Sequence, residues 1–308
     1  IPALKKAINN LRNLYNVLRV KHWIKNGLIF LPLFFSLQLT NWSYISKSLL
    51  GFLAFCLVSS AVYVLNDIRD REKDRLHSTK RNRPIASGAI GVPVAAIVAL
   101  LFVGGAACIL VYLRSAWGGA ILALYFLLNV GYSCGLKNIP IVDIVILASG
   151  FVLRVMFGGV IIGEEVSSWL FFTVLAAAFF MGMGKRRNEL LTEGDETREV
   201  NKLYSQSFLE KNMYMCITLA VCFYAMWCIT SPTVERFANP GITWTVPLLL
   251  VIFLRYSYRI ERAGEGGDPI NVLLKDYVLL GLVVIFLVYT VLVVYVPIPF
   301  FHEISKII

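Results

Sequence analysis

Long apolar runs recur along almost the whole chain, and they leave it little choice of fold. They lie near residues 27–40, 48–66, 89–113, 117–136, 140–162, 168–184, 213–231, 243–260 and 274–296. All but the first are long enough to cross a bilayer, which takes about 17 to 25 residues per helix. Hydrocarbon tolerates no unpaired backbone polar group, so such runs are expected to be helical. Hydrophobic residues make up 58% of the 308 and charged residues 16%, whereas soluble domains hold roughly half and a quarter. The chain therefore reads as an all-α integral membrane protein of about nine transmembrane helices. The first run is the weakest, because Pro32 interrupts it. No low-complexity linker or second composition appears, so residues 1–308 read as a single transmembrane domain. Residues 1–25 open it with Leu4, Ile8, Leu11, Tyr15 and Leu18 spaced between Lys5, Lys6, Arg12 and Arg19, the pattern of an amphipathic helix lying on the inner leaflet. No short apolar core followed by a small-residue cleavage site is present, so no cleavable signal is expected.

Charge sets the orientation. With nine spans and a cytosolic N-terminus, the 29 Lys and Arg residues all fall on the cytosolic side except Lys47, Arg114, Arg236, Lys306 and the intramembrane Arg154, as the positive-inside rule requires. The aspartates Asp67, Asp70, Asp74, Asp143, Asp195, Asp268 and Asp276 lie on that side or at its boundary. Chemistry is expected to face the cytosol across a plasma membrane, under cap loops that follow spans two, six and eight. A net charge of +10 then fits an anionic substrate better than nucleic acid, which would want a soluble basic surface. The six cysteines show no CxxC or Cys/His ligand spacing and read as small packing residues.

Where the second run leaves the membrane, the sequence is NDIRDREKD, residues 66–74. At about 100° per residue, Asp67, Asp70 and Asp74 fall within roughly 60° on one helix face. Three carboxylates at a helix C-terminus oppose the macrodipole and repel one another, so a cation is expected among them. Hard oxygen donors favour Mg2+. The competing reading is a solvated charged loop, since Arg69, Arg71, Lys73 and Arg75 are interleaved. His77, Lys80, Arg81, Arg83 and Pro84 follow. Carboxylates for a metal and then a basic strip are how a site holds a metal-bridged diphosphate.

Further candidates are more ambiguous. Lys185 and Arg186, at the membrane boundary in GKRRNE, suit a second phosphate, but also a snorkelling anchor or, for Lys185, an i,i+4 ion pair with Glu189. Arg154 is ionisable within a span and a functional candidate on that ground, with a structural pair as the alternative. Tyr132, Lys137 and Asp143 flank the turn LKNIP and either line a cavity mouth or cap helices. Lys21, Lys25 and Asn26 stand in RVKHWIKN beside Trp23, which an interfacial belt explains. Asp268 and Asp276 either add a ligand or, more simply, cap the last helix.

NDIRDREKD followed by RNRPIASG resembles the first signature of the UbiA superfamily of intramembrane prenyltransferases, and a nine-helix bundle with cytosolic cap loops is similar to that fold. Members that prenylate aromatic rings carry a second aspartate-rich motif after span six. Here that position reads GKRRNELLTEGD, and only Asp195 approaches the pattern. With RVKHWIKN, GYSCGLKNIPIVDIVILASGFVLRV and GGDP, the chain resembles the decaprenyl-phosphate phosphoribosyltransferase branch. That resemblance implies an Mg-dependent membrane glycosyltransferase. Its donor would be phosphoribosyl diphosphate (PRPP), its acceptor a polyprenyl phosphate, and its product a precursor of lipid-linked arabinose donors for cell-wall polymers. It also implies that Asp67, Asp70 and Asp74 hold metal and diphosphate with Asn66 assisting. Lys185 and Arg186 would bind a phosphate, and Lys21, Lys25, Tyr132, Lys137 and Arg154 would line the same cavity. Prenyl transfer to an aromatic acceptor is the alternative within the superfamily. A transporter or lipid-binding protein is the alternative outside it, disfavoured because the charges crowd one side.

Overall fold

The computed structural model describes residues 15, 17–76, 80–193, 199–237, 240–263 and 269–296. Most of the expected N-terminal amphipathic helix, together with His77, Asp195, Asp268 and Lys306, lies outside the described residues. Helices are the only regular structure among those described: α1 Leu31–Phe35, α2 Trp42–Arg69, α3 Arg71–Leu76, α4 Val92–Tyr112, α5 Ala116–Ser133, α6 Val142–Ile162, α7 Ser168–Glu193, α8 Gln206–Ile229, α9 Ser231–Phe237, α10 Thr245–Ala263, α11 Pro269–Lys275 and α12 Tyr277–Tyr295, with short 3-10 pieces between them. Eight among the described residues are long and apolar enough to cross a membrane: α2, α4, α5, α6, α7, α8, the stretch Gly241–Glu261 that contains most of α10, and α12. The chain is a multi-pass all-α membrane protein.

The difference from nine concerns the run at 27–40. It is not a regular span: residues Val20–Phe30 form a 3-10 segment and the five-residue α1 follows. Pro32 is the reason. It has no N–H to give to the Leu28 carbonyl, which instead accepts from the N–H of Leu31, one residue nearer than an α-helix would use. The segment nonetheless travels antiparallel along α2. Arg19 meets Asp67, His22 packs on Tyr63, Trp23 donates to Ser60, Asn26 donates to Cys56 and Ser59, and Phe30 packs on Phe52. Eleven steps at the 3-10 rise of about 2.0 Å cover ~22 Å, as do fifteen steps of α-helix at about 1.5 Å. A stretched helix covers the distance with fewer residues.

The chain divides into two compact units. The first comprises Ile1–Leu136 and Leu153–Glu165 and is organised around α2. Phe55 lies between Tyr125 and Phe157, with ring centroids at 4.7 and 5.4 Å. On α4 the buried residues are Ala95, Ala99 and Ala106, while Val94, Ile97, Leu100, Leu101 and Val111 are exposed. Helices already in lipid gain nothing from hiding leucines against one another, so small residues mark the packed face and large ones the lipid face. Gly158, in the second half of α6, lets the 3-10 segment approach: a Cβ there would stand 2.1 Å from the carbonyl oxygen of Ile29.

The second unit comprises Lys137–Val152 and Val166–Ile308. Phe180, Met213, Cys216 and Ile260 form one buried cluster and Ile144, Val200, Tyr204 and Leu209 another. Ser205 caps α8 by accepting the Phe208 N–H. Asp276 caps α12, accepting from the N–H groups of Val278 and Leu279 at 2.9 and 3.0 Å, and it also pairs with Arg255 and Arg259. Capping, the simpler of the two expectations for Asp276, is what the carboxylate does.

Candidate functional site

The acidic motif does not run out into a loop. α2 stops at Arg69, Asp70 adopts φ −84° and ψ 4°, and α3 restarts at Arg71. The turn is closed from both sides, by the Asp70 N–H on the Asn66 carbonyl at 2.9 Å and by the Asp74 N–H on the Asp70 carbonyl at 2.8 Å. Asp67 and Asp74 are buried, and Asp70 is half-buried at the bend. Buried carboxylates require compensation, Asp67 the more so because it stands in the last turn of α2, and two arginines provide it. A single nitrogen, Nη1 of Arg83, donates to Asp67 Oδ1 at 3.1 Å and to Asp74 Oδ2 at 2.7 Å. Arg19 Nη2 donates to Asp67 Oδ1 at 2.6 Å.

Local structure explains why these guanidinium groups arrive. Pro84 biases Arg83 toward extended backbone. Ile85 and Ala86 are buried behind it, Ile85 in the apolar cluster of Val17, Ala61, Val64, Ala95 and Ala99. Arg75 ties the return of the loop by donating from Nε to the Ala86 carbonyl at 3.0 Å. Arg19 sits at φ 50°, a left-handed conformation uncommon outside glycine, with its guanidinium over the Tyr63 ring at 4.8 Å.

Asp67, Arg83 and Pro84 line a cavity of about 400 Å³ together with Tyr15, Arg19, Val20, Lys21, His22 and Asn82, within the range typical of ligand sites. Of the residues expected from sequence, Asp67, Lys21 and Arg83 meet here. His22, Asn82 and Arg19, the last expected only as part of the basic N-terminal face, were not among the substrate-binding candidates. Arg19 opens the basic segment RVKHWIKN, and its left-handed turn, which aims it at Asp67, leaves no mark in composition.

Among the described residues no three His, Cys, Asp or Glu side chains come close enough to hold a metal ion. Three aspartates share a face on one straight helix, and the bend at Asp70 breaks that helix. The fit to Mg2+ rests on the other two. Two carboxylate oxygens that meet one cationic nitrogen are arranged to meet one hard cation, and the donors are all oxygen.

The remaining first-unit candidates divide by location. Asn66 accepts from Ser133 Oγ at 2.8 Å, which brings the end of α5, with half-buried Tyr132, to the motif. Lys80 and Arg81 begin the loop that carries Arg83, Lys80 half-buried and Arg81 exposed. Lys25 is half-buried in the 3-10 segment. Arg154 is buried at 6% exposure, donating from Nε to Asn26 Oδ1 at 2.8 Å and from Nη2 to the Tyr125 hydroxyl at 3.3 Å. Its guanidinium stacks over Phe55 and Tyr125 at 4.9 and 5.1 Å. Amide, phenol and aromatic faces thus take part in sheltering a charge inside a span.

The second unit holds the other basic group. Arg186 is completely buried: Nε donates to Asp143 Oδ2 at 2.5 Å and Nη1 to Glu189. Asp143 is equally buried and also accepts a hydrogen bond from the Tyr204 hydroxyl at 2.7 Å. That hydroxyl in turn accepts the N–H of Ile141, a β-branched residue at φ 69°. Burial pushes the Tyr204 phenol above its ordinary range, so it remains a donor. Lys185 and Lys137 are half-buried, and Arg187 pairs with Glu210 at 2.7 Å. Arg186, three residues before Glu189, forms an ion pair with it, a pairing distinct from the expected one of Lys185 with Glu189.

Comparison with known proteins agrees with this architecture. The chain is 34% identical over 287 residues to decaprenyl-phosphate phosphoribosyltransferase of Corynebacterium glutamicum, covering 91% of this chain and 86% of that one. To the protein of the same name from Mycolicibacterium smegmatis it is 31% identical over 293 residues, covering 90% and 91%. A UbiA homologue from Archaeoglobus fulgidus, solved bound to GPP and Mg2+, superposes with a TM-score of 0.69 at 19% identity over 92% of this chain and all of that one; at that identity the likeness is one of fold. Residues 28–270 match the UbiA prenyltransferase family, and the chain belongs to that family.

Proposed function

We infer that the chain transfers 5-phosphoribose from PRPP to a polyprenyl phosphate such as decaprenyl phosphate, releasing diphosphate, on the cytosolic side of the plasma membrane. The product would feed lipid-linked arabinose donors for cell-wall polymers. The observation that carries this reading is the convergence of Asp67 and Asp74 on one cationic centre beside a cavity lined by Arg19, Lys21 and Arg83. That is an acidic, cation-binding half-site next to a basic, phosphate-binding one. Two relatives that align over about nine tenths of the chain bear the corresponding name.

Bound Mg2+ would neutralise charge on the departing diphosphate. Asp67 and Asp74, with Asp70 at the bend, would hold that ion. Arg83, Arg19 and Lys21, with Lys80 and Arg81 at the loop's start, would neutralise the remaining phosphate oxygens. Asn66 and Tyr132 orient the donor at the end of α5. Lys25, Lys137 and Arg154 complete the set assigned to substrate. Lys185 is assigned to a monophosphate, whereas Arg186, enclosed by Asp143 and Glu189, holds the end of α7 in place. A lipid phosphate is already anionic at neutral pH, so no strong general base is required, and catalysis rests on orientation and electrostatic stabilisation.

Offering purified protein Mg2+ with either PRPP and polyprenyl phosphate, or a prenyl diphosphate and an aromatic acceptor, tests the assignment. Ribosylated lipid from the first pair is expected. Product from the second pair alone contradicts it and favours prenyl transfer.

A further inference from the structure

We propose that Arg83, assisted by Arg19, is a built-in counter-cation of the acidic pair, seated between Asp67 and Asp74 without metal and displaced when a divalent cation enters. The inference rests on the metal-binding reading above and adds how the site stands ready without collapsing. Asp67 and Asp74 are 3% and 5% exposed, two ionised carboxylates so close repel each other, and Asp67, in the last turn of α2, also opposes the dipole of that helix. Arg83 Nη1 bridges them at 3.1 and 2.7 Å and Arg19 seals Asp67 at 2.6 Å. A guanidinium cannot deprotonate to make way, so a metal that takes those oxygens must move it.

The structure provides room for that move. The Arg83 and Arg19 side chains are 29% and 20% exposed and line the cavity beside Asp67, whereas the two carboxylates themselves are almost wholly buried. Ile85 and Ala86 pin the Arg83 loop, so the side chain swings while its backbone stays. Arg19 already rests on the Tyr63 ring. Once displaced, both guanidiniums face the cavity with their donors available to phosphate oxygens. Metal entry and phosphate capture then become one coupled event, each raising the affinity of the other.

Mn2+ serves as the probe, its binding to the purified full chain followed by electron paramagnetic resonance, with no substrate and no turnover. Removing a competing cation improves binding, the reverse of what structural damage does. Arg83→Gln is therefore expected to tighten Mn2+ binding by about ten-fold, within the usual range of coupling between sites. It should also lower the metal-free melting temperature, with Mn2+ restoring it. Arg19→Gln, which frees only Asp67, should tighten binding by a smaller factor. It also supplies the test if Arg83→Gln does not fold. Binding that Asp67→Ala removes but that both arginine variants leave unchanged or weaken overturns the exchange and spares the metal site. No Asp67-dependent Mn2+ binding in the wild type overturns the metal site and the exchange together.

Discussion

Arg186 and Asp143 show how far burial decides what a charged residue does. Both are fully enclosed, so removing one strands the other, a loss of about 3–5 kcal/mol for a buried pair. Arg186→Ala should therefore lower the melting temperature sharply in detergent, whereas Lys185→Ala should leave it near the wild-type value and reduce turnover. An Arg186→Ala protein with normal melting and no turnover would instead place Arg186 on substrate. Tyr204→Phe removes the hydroxyl's hydrogen bond to Asp143 and should cost about 1–3 kcal/mol. Because burial raises the Tyr204 phenol, the wild-type tyrosine stays protonated through neutral pH, and melting measured between pH 6 and 9 should show a constant difference. Sequence singled out Arg186 but could not show that Asp143, 43 positions earlier, folds back to enclose it.

At the level of elements, the 3-10 segment beside α2 depends on Gly158. Gly158→Ala sets a Cβ against the Ile29 carbonyl, which is backbone and cannot turn aside. The expected loss is about 2 kcal/mol or more, while Gly119→Ala on α5, with nothing within 4 Å, should be neutral or slightly stabilising. Parallel melting curves check both. The start of α12 depends on Asp276. Burial alone would raise this carboxyl, but the Leu279 N–H, Arg255 and the Val278 N–H together hold it below its ordinary value. A depressed carboxyl contributes fully above its unfolded pKa of about 4 and loses that contribution as pH falls below it. Asp276→Ala should cost about 1 kcal/mol at pH 7 from the cap alone, and the gap in melting temperature to wild type should narrow as pH drops below 4. Apolar length made the eight regular spans readable in advance. The first run was not, because a proline converted it to a stretched 3-10 path that still follows α2.

For the whole molecule, the motif NDIRDREKD and the loop RNRPIASG carried the family and the acidic cluster in plain view, since their charges follow directly on a long apolar run. The arrangement within that cluster was less legible. Ideal helix geometry put three aspartates on one face, but the chain bends at Asp70 and seats Arg83 between Asp67 and Asp74. Arg19 joins through a left-handed turn that no spacing rule signals. The central claim is that this acidic pair works on a phosphoribosyl diphosphate. Transfer of label from ribose-labelled PRPP to polyprenyl phosphate, compared between wild type and Asp67→Ala in the same vesicles with Mg2+, tests it most directly. Labelled lipid from wild type, reduced by roughly 10³-fold in the folded variant, is the predicted result; substantial labelling by Asp67→Ala, or none by wild type, would contradict it.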